Sequence, residues 1–179
     1  MYGVTKVAGE LLCEYYSRRF GVDTRGLRFP GLISYAAPPG GGTTDYAVAI
    51  FYDAIRYGRY TCFLKPDTRL DMMYMPDAIR ATLELMDAPA AAIRERHAYN
   101  LAGLSFTPVE LGAAIARELP GFTLECAPDF RQAIAASWPG SIDDRAARQD
   151  WGWRPAYDLP ALVQDMLLHL RPLLAAPSR

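Results

Sequence analysis

The first twenty residues carry apolar side chains at helical spacing. Four of them recur at three- and four-residue intervals, namely Val7, Leu11, Leu12 and Tyr15. This period predicts an amphipathic helix from Val4 to Phe20 that ends at Gly21. The apolar face of this helix would pack either into the core of the chain or against a partner.

Shorter apolar runs between turn residues predict strands. The segment 24–34 (TRGLRFPGLIS) is bracketed by glycines and predicts a buried strand that runs into a loop at Pro30 and Gly31. The stretch 61–75 (TCFLKPDTRLDMMYM) predicts two short strands around a polar turn. One further strand is predicted over residues 99–101 and another over residues 122–128.

Cap residues and prolines mark where helices begin. A helix over AVAIFYDAIRYG is expected to start at Thr44 or Asp45 and to stop at Gly58. A second follows at PDAIRATLELMDAP, and the capping box TPVE predicts a third from residue 107. Short helical turns over 129–153 and a last helix over 159–174 complete the chain. Because helices and strands alternate, the predicted fold class is α/β in a single domain, 1–179.

Composition narrows the classes of function. The 179 residues are 51% hydrophobic and 22% charged with a net charge of −1, which gives no electrostatic reason to expect a nucleic-acid partner. No apolar run reaches the length of a membrane span, so no membrane association is expected. The three cysteines and two histidines are too scattered to predict a disulfide framework or a metal site, and a reducing, cytosol-like compartment is expected.

Tyr2 and Lys6 are four residues apart and therefore project from one face of the first predicted helix. A tyrosine phenol ordinarily ionises only near pH 10, and a neighbouring ammonium favours the phenolate. The pair is thus a candidate general acid or base. Chance occurrence of this spacing in an ordinary helix is the alternative.

The surrounding motifs strengthen the catalytic interpretation. YGVTK at a helix start, followed by a strand ending in RFPG, resembles the catalytic helix and next strand of the short-chain dehydrogenase/reductase superfamily. The elements DMMYMPDAIRAT, YNLAGLSFTPVELGAAI and SIDDRAARQDWGWRPAYDL resemble later elements of its extended branch, in the same order. Within that branch, PPGGGTTDYAV and DFRQAIAASWP are most similar to the short-chain type of L-threonine 3-dehydrogenases. Sugar-nucleotide epimerases and dehydratases are the nearest alternative.

This resemblance implies a fold, a cofactor and site residues. The fold would be the C-terminal half of a Rossmann-like doubly wound sheet plus a small α/β substrate lobe. NAD would meet Tyr2, Lys6 and the backbone at Pro30 and Leu32, and Tyr2 would exchange a proton with L-threonine. Further substrate contacts are implied as well: Thr43 and Thr44 for the carboxylate, Asp45 for the ammonium and Trp138 as a cover.

The glycine run before Thr43 has two other interpretations, a nucleotide loop or a plain surface loop. Trp138 is equally consistent with a packing role, whereas Trp151 and Trp153 are expected in the core. Ion-paired or solvated arginines are expected at Arg28, Arg69 and Arg131, rather than ligand groups.

The family's glycine-rich turn and upstream serine or threonine have no counterpart in this sequence. The resemblance therefore implies an incomplete domain, inactive by itself and weak in NAD binding. The alternative is a truncated, non-catalytic subunit that pairs with an intact one. For the complete enzyme it implies a homodimer, which extended-branch enzymes commonly form through the tyrosine helix, and a cytoplasmic location if the source is bacterial.

Overall fold

The computed structural model describes residues 1–175 as alternating helices and strands. The helices are α1 (Tyr2–Phe20), α2 (Tyr46–Tyr57), α3 (Met75–Asp87), α4 (Pro108–Glu118), α5 (Arg131–Ala136), α6 (Arg145–Asp150) and α7 (Leu159–Ala175). The strands are β1 (Leu27–Arg28), β2 (Gly31–Ile33), β3 (Arg59–Cys62), β4 (Leu70–Tyr74), β5 (Tyr99–Asn100), β6 (Leu104–Phe106) and β7 (Thr123–Cys126). A 3-10 turn covers Ala90–Ala92. The predicted α/β class is confirmed.

The strands pair in three small sheets. Strand β1 pairs with β5, β3 pairs with β7, and β4 lies between β2 and β6. Every pairing is parallel except that of β4 with β6. The two strands predicted around the polar turn, β3 and β4, are therefore not partners of each other.

Phe29 and Pro30 separate β1 from β2. Proline has no backbone N–H to donate to a strand ladder, so pairing stops there and resumes one residue later. Gly31 then lies opposite Met72 in β2 and β4. The prediction of a loop at Gly31 is wrong, because Gly31–Ile33 forms a strand with a new neighbour.

Two hydrophobic clusters fill the interior. The larger one joins α2, α4 and α7 with β3 and β4. The smaller one packs α3 against β4 and β5 and includes Tyr99 and Trp153. Trp153 is fully buried and Trp151 is half-buried against this cluster, so both tryptophans pack as the sequence predicts.

Helix α1 lies on the outside of the molecule. None of its side chains is buried within the part of the chain that the structure describes. It is attached through an ion pair of Glu10 with Arg28 and through the hydroxyl of Thr24, which donates to the carbonyl of Cys13 at 3.0 Å. Of the two predicted roles of its apolar face, packing into the core of this chain is therefore wrong.

Local signals position the remaining helices. The capping box predicted at residue 107 is present: Thr107 Oγ1 accepts from the N–H of Glu110, whose carboxylate accepts from the N–H of Thr107. Asp77 in the first turn of α3 is 2% exposed and accepts from the backbone N–H groups of Ala156 and Tyr157. This carboxylate therefore fixes the segment before α7 against α3. Among the described residues, no helix combines the length and apolar composition needed to cross a bilayer.

Candidate functional site

An open cleft of about 420 Å³ lies where α1, β2, β4 and the segment after α5 meet. Its walls combine polar and apolar groups from all of these elements and from the residues just before α2. Its lining residues include Tyr2, Pro30, Gly31, Thr44, Asp71 and Trp138. Four of these six, Tyr2, Pro30, Thr44 and Trp138, are residues that the sequence analysis selects.

Tyr2 occupies the first position of α1, and its side chain is 77% exposed at the edge of the cleft. Lys6 lies one turn further along the same face. Its Nζ is 5.3 Å from the centroid of the Tyr2 ring. The helix thus brings a phenol and an ammonium together, and Lys6 has no carboxylate partner among residues 1–175.

The break between β1 and β2 forms the neighbouring wall. Pro30 and Gly31 line the cleft, whereas Leu32 packs against the smaller hydrophobic cluster. Gly31 is crowded, because a Cβ atom there would lie 2.6 Å from Met72 Sδ and 2.6 Å from Thr44 Cγ2. Only glycine lets β2 approach Thr44 this closely.

The glycine-rich run before α2 folds around Asp45. Its Oδ2 accepts from the backbone N–H of Gly40 at 2.7 Å and of Gly42 at 2.9 Å. Asp45 stands at the N-cap position of α2, but its side chain makes no capping bond to the helix. Thr44 lines the cleft and Thr43 is half-buried outside its lining. The substrate roles of Thr43, Thr44 and Asp45 stay predictions.

Trp138 follows α5 and lines the same cleft as Tyr2. It is 42% exposed and lines the cleft together with Pro139 and Ile142. The indole is thus available at the opening rather than fully packed in the core. Its role as a cover stays a prediction.

Asp71 in β4 is a cleft residue to which the sequence motifs assign no role. Its Oδ2 is buried and finds no hydrogen-bond partner among residues 1–175. The signal in the sequence is a single carboxylate inside the apolar strand LDMMY. Such a residue is conspicuous only once the strand is known to border a cleft.

The three candidate arginines are all ion-paired, as expected. Arg28 binds Glu10, Arg69 binds Glu110, and Arg131 binds Asp129. The hydrogen bond from the Arg69 guanidinium holds the pKa of the Glu110 carboxyl below its ordinary value. Within residues 1–175, no three His, Cys, Asp or Glu side chains cluster in a way that would hold a metal ion.

Parallel strand pairs, covering helices and a cleft beside a tyrosine helix define an α/β protein of Rossmann-like fold. Residues 1–102 match the model of the NAD dependent epimerase/dehydratase family, and the chain belongs to that family. The resemblance to the extended branch of short-chain dehydrogenases is thereby confirmed.

A curated relative, an uncharacterized epimerase/dehydratase of Staphylococcus haemolyticus, is 54% identical over 168 residues, which are 93% of this chain and 53% of the relative. Among solved structures, a GalE-like L-threonine dehydrogenase from Cupriavidus necator is 58% identical, with a TM-score of 0.90 over 94% of this chain and 55% of that one. An L-threonine dehydrogenase from Clostridium difficile is 49% identical, with a TM-score of 0.93 over 98% of this chain and 55% of that one. The chain thus spans about half the length of the curated relatives it matches.

Proposed function

We propose that the protein to which this chain belongs oxidises L-threonine to 2-amino-3-oxobutanoate with NAD. The observation that carries the proposal is the cleft lined by Tyr2, Thr44 and Trp138, three residues to which the family resemblance gives roles at one site. Similarity to solved L-threonine dehydrogenases at 49% to 58% identity supports it.

The proton chemistry belongs to Tyr2. Its phenolate takes the proton from the substrate hydroxyl while the C–H bond of the same carbon breaks, and the carbon becomes a ketone. Lys6 places its ammonium beside the Tyr2 ring, with Nζ 5.3 Å from the ring centroid. Thr44 supplies a hydroxyl for the substrate carboxylate.

NAD, when bound, accepts the hydride from the substrate's β-carbon. The donor set fits the nicotinamide end of this cofactor, because the Lys6 ammonium is uncommitted among residues 1–175 and can donate to ribose hydroxyls. Pro30 and Gly31 line the same cleft as Tyr2, and their backbone would contact the nicotinamide end. On the basis of the family resemblance, we also propose that Leu32 contacts the cofactor.

Replacing Tyr2 with phenylalanine tests the proposal in the protein as its gene encodes it. Tyr2→Phe should abolish threonine-dependent NADH formation while NAD binding, measured by calorimetry, stays within about threefold of wild type. The matched control is Tyr16→Phe, which removes the same hydroxyl from the same helix and should leave turnover unchanged. Retained turnover in Tyr2→Phe would contradict the assignment.

A sugar-nucleotide epimerase or dehydratase is the second candidate, since the matching family and the curated relatives carry that description. The same tyrosine and lysine would serve that reaction. Competition separates the two functions: a small excess of a uridine diphosphate sugar should leave threonine oxidation unaffected. Inhibition by the sugar nucleotide, together with its turnover, would favour the second candidate.

We also propose that the complete protein forms a homodimer through α1. This helix exposes more than half of the surface of each of three apolar side chains, Leu11, Leu12 and Tyr15. Contact of such an apolar face with water is unfavourable, and burial against a partner would remove it. Sedimentation should show a dimer for wild type and a monomer for Leu12→Glu. Leu83→Glu, an equally exposed leucine on α3, should remain dimeric, and a monomeric wild type would contradict the proposal.

A further inference from the structure

We propose that Asp71 binds the ammonium group of the amino-acid substrate and sets the preference for an amine next to the reacting alcohol. The inference rests on the proposed function and names a residue that the sequence motifs leave unassigned. The ammonium would thus bind to β4, while Tyr2 on α1 contacts the substrate hydroxyl and Thr44 before α2 contacts the substrate carboxylate.

Asp71 is one of two neighbouring residues of β4 that line the cleft. The other is Leu70, whereas the next residue along the strand, Met72, is buried in the larger hydrophobic cluster. Met72 is aligned with Gly31, so Asp71 lies beside the Pro30–Gly31 wall. Tyr2, Thr44 and Asp71 therefore border one space.

The carboxylate of Asp71 is uncommitted. Its Oδ2 is shielded from water and has no hydrogen-bond partner among residues 1–175. A buried carboxylate oxygen without a partner is costly, which is why nearly all such groups in proteins are paired. Arg69, two residues before it, donates instead to the Ser105 carbonyl at 2.9 Å and to Glu110 at 2.6 Å.

A primary ammonium is the ligand group best suited to the unpartnered oxygen of Asp71. It carries a full positive charge and three donors on one small centre, so it can satisfy a recessed carboxylate oxygen and still turn its remaining donors elsewhere. Asp45, the other acidic residue near the cleft, already accepts two backbone hydrogen bonds within its own loop. Asp71 is therefore the acidic residue that lines the cleft and has a carboxylate oxygen without a partner among residues 1–175.

Three contacts from three segments of the chain would then hold L-threonine. The carboxylate would meet Thr44, the hydroxyl Tyr2 and the ammonium Asp71. Because three different groups are held at three points, only one enantiomer of the substrate fits. The amine contributes to this orientation, so its loss should affect turnover through binding of both the ground state and the transition state.

The test compares two alcohols in the protein as its gene encodes it. L-Threonine and (R)-3-hydroxybutanoate share the carboxylate, the methyl group and the configuration at the reacting carbon, and differ only in the amine. Wild type should prefer L-threonine strongly. In Asp71→Asn the kcat/KM for L-threonine should fall about 30-fold or more, because a buried partner of a charge has been removed. The kcat/KM for 3-hydroxybutanoate should stay within threefold or rise.

Matched variants separate ligand binding from structural effects. Asp67→Asn makes the same change of charge four residues away on an exposed turn residue, and it should leave the preference for L-threonine unchanged. Asp45→Asn should lower the kcat/KM of both alcohols together, because it loosens the glycine-rich run that precedes Thr44. If Asp71→Asn does not fold, Asp71→Ser serves for the same comparison, since it is smaller and still polar.

The outcomes are distinct. An unchanged preference in a folded Asp71 variant, or its loss in Asp45→Asn instead, would overturn the role of Asp71 while threonine oxidation stands. A wild type that oxidises both alcohols equally would overturn it without any variant. If wild type reduces no NAD with L-threonine, the proposed function fails and the ammonium site fails with it.

Discussion

Gly31 is the residue at which the packing of the strands and the shape of the cleft are most directly coupled. An alanine methyl group there would lie 2.6 Å from Thr44 Cγ2, 2.9 Å from Thr44 Cβ and 2.6 Å from Met72 Sδ. Ordinary carbon contacts are about 3.5 to 4.0 Å, so roughly 1 Å of space is missing on each side. Met72 is fully buried and Thr44 Cβ is fixed to the backbone, so neither neighbour yields freely.

The expected size of the effect follows from this overlap. Adding a methyl group to a packed site costs about 1 to 3 kcal/mol of unfolding free energy. With a urea dependence of about 2 kcal/mol per molar, the midpoint of unfolding of Gly31→Ala should fall by about 0.5 to 1.5 M. A displacement of about 1 Å at a group that contacts substrate lowers turnover by up to about 100-fold, so kcat/KM for L-threonine should fall to that extent.

Two quantities are measured in the protein to which this chain belongs: its urea unfolding and its threonine-dependent formation of NADH. Adding Thr44→Ser to Gly31→Ala removes Cγ2 and keeps the hydroxyl, so the double variant should regain about tenfold in kcat/KM. Gly9→Ala is the control, because a Cβ there has no atom within 4 Å. If Gly31→Ala keeps wild-type stability and turnover, or if Thr44→Ser rescues nothing, the reasoning from crowding is refuted.

Three further predictions concern stability and reactivity. Asp77→Asn weakens a buried carboxylate network and should cost about 3 to 5 kcal/mol in urea unfolding, whereas Asp87→Asn on the same helix should stay within about 0.5 kcal/mol of wild type; equal effects would contradict this. The hydrogen bond from Arg28 lowers the pKa of Glu10, so its stabilisation of α1 is full above the ordinary value of 4.5 and is lost as the pH falls through the folded-state pKa. Hydrogen exchange in α1 should therefore be faster in Glu10→Gln than in wild type at pH 7, and the difference should vanish in acid. Burial raises the pKa of the Cys62 thiol to about 11, so native protein should resist its alkylation at pH 8 until urea is added, as mass spectrometry would show.

Helices and strands whose bounds depend on residues nearby in the sequence could be predicted. Those whose bounds depend on residues far away in the sequence could not. The capping box of Thr107 and Glu110 lies within one helical turn, so the sequence predicts where α4 begins. The split of one predicted strand into β1 and β2 depends on which strands come to lie beside each half, and Tyr99 and Met72 are far away in the chain. Strand β6 was missed for the same reason, because its three residues form a strand only against β4.

The two aspartates near the cleft show how the same limit applies to function. Asp45 stands between a glycine run and a helix, where a short acidic side chain satisfies backbone N–H groups, and the structure shows it bound to Gly40 and Gly42. Local sequence draws attention to such a residue because its partners are close by, yet those partners are what reduce its capacity for a ligand. Asp71 has the opposite character: nothing near it in sequence needs a carboxylate, and its oxygen stays unpartnered among residues 1–175. No local motif therefore draws attention to Asp71, and only the packing of α1, β2 and β4 around one space reveals that it lines the cleft with an unsatisfied oxygen.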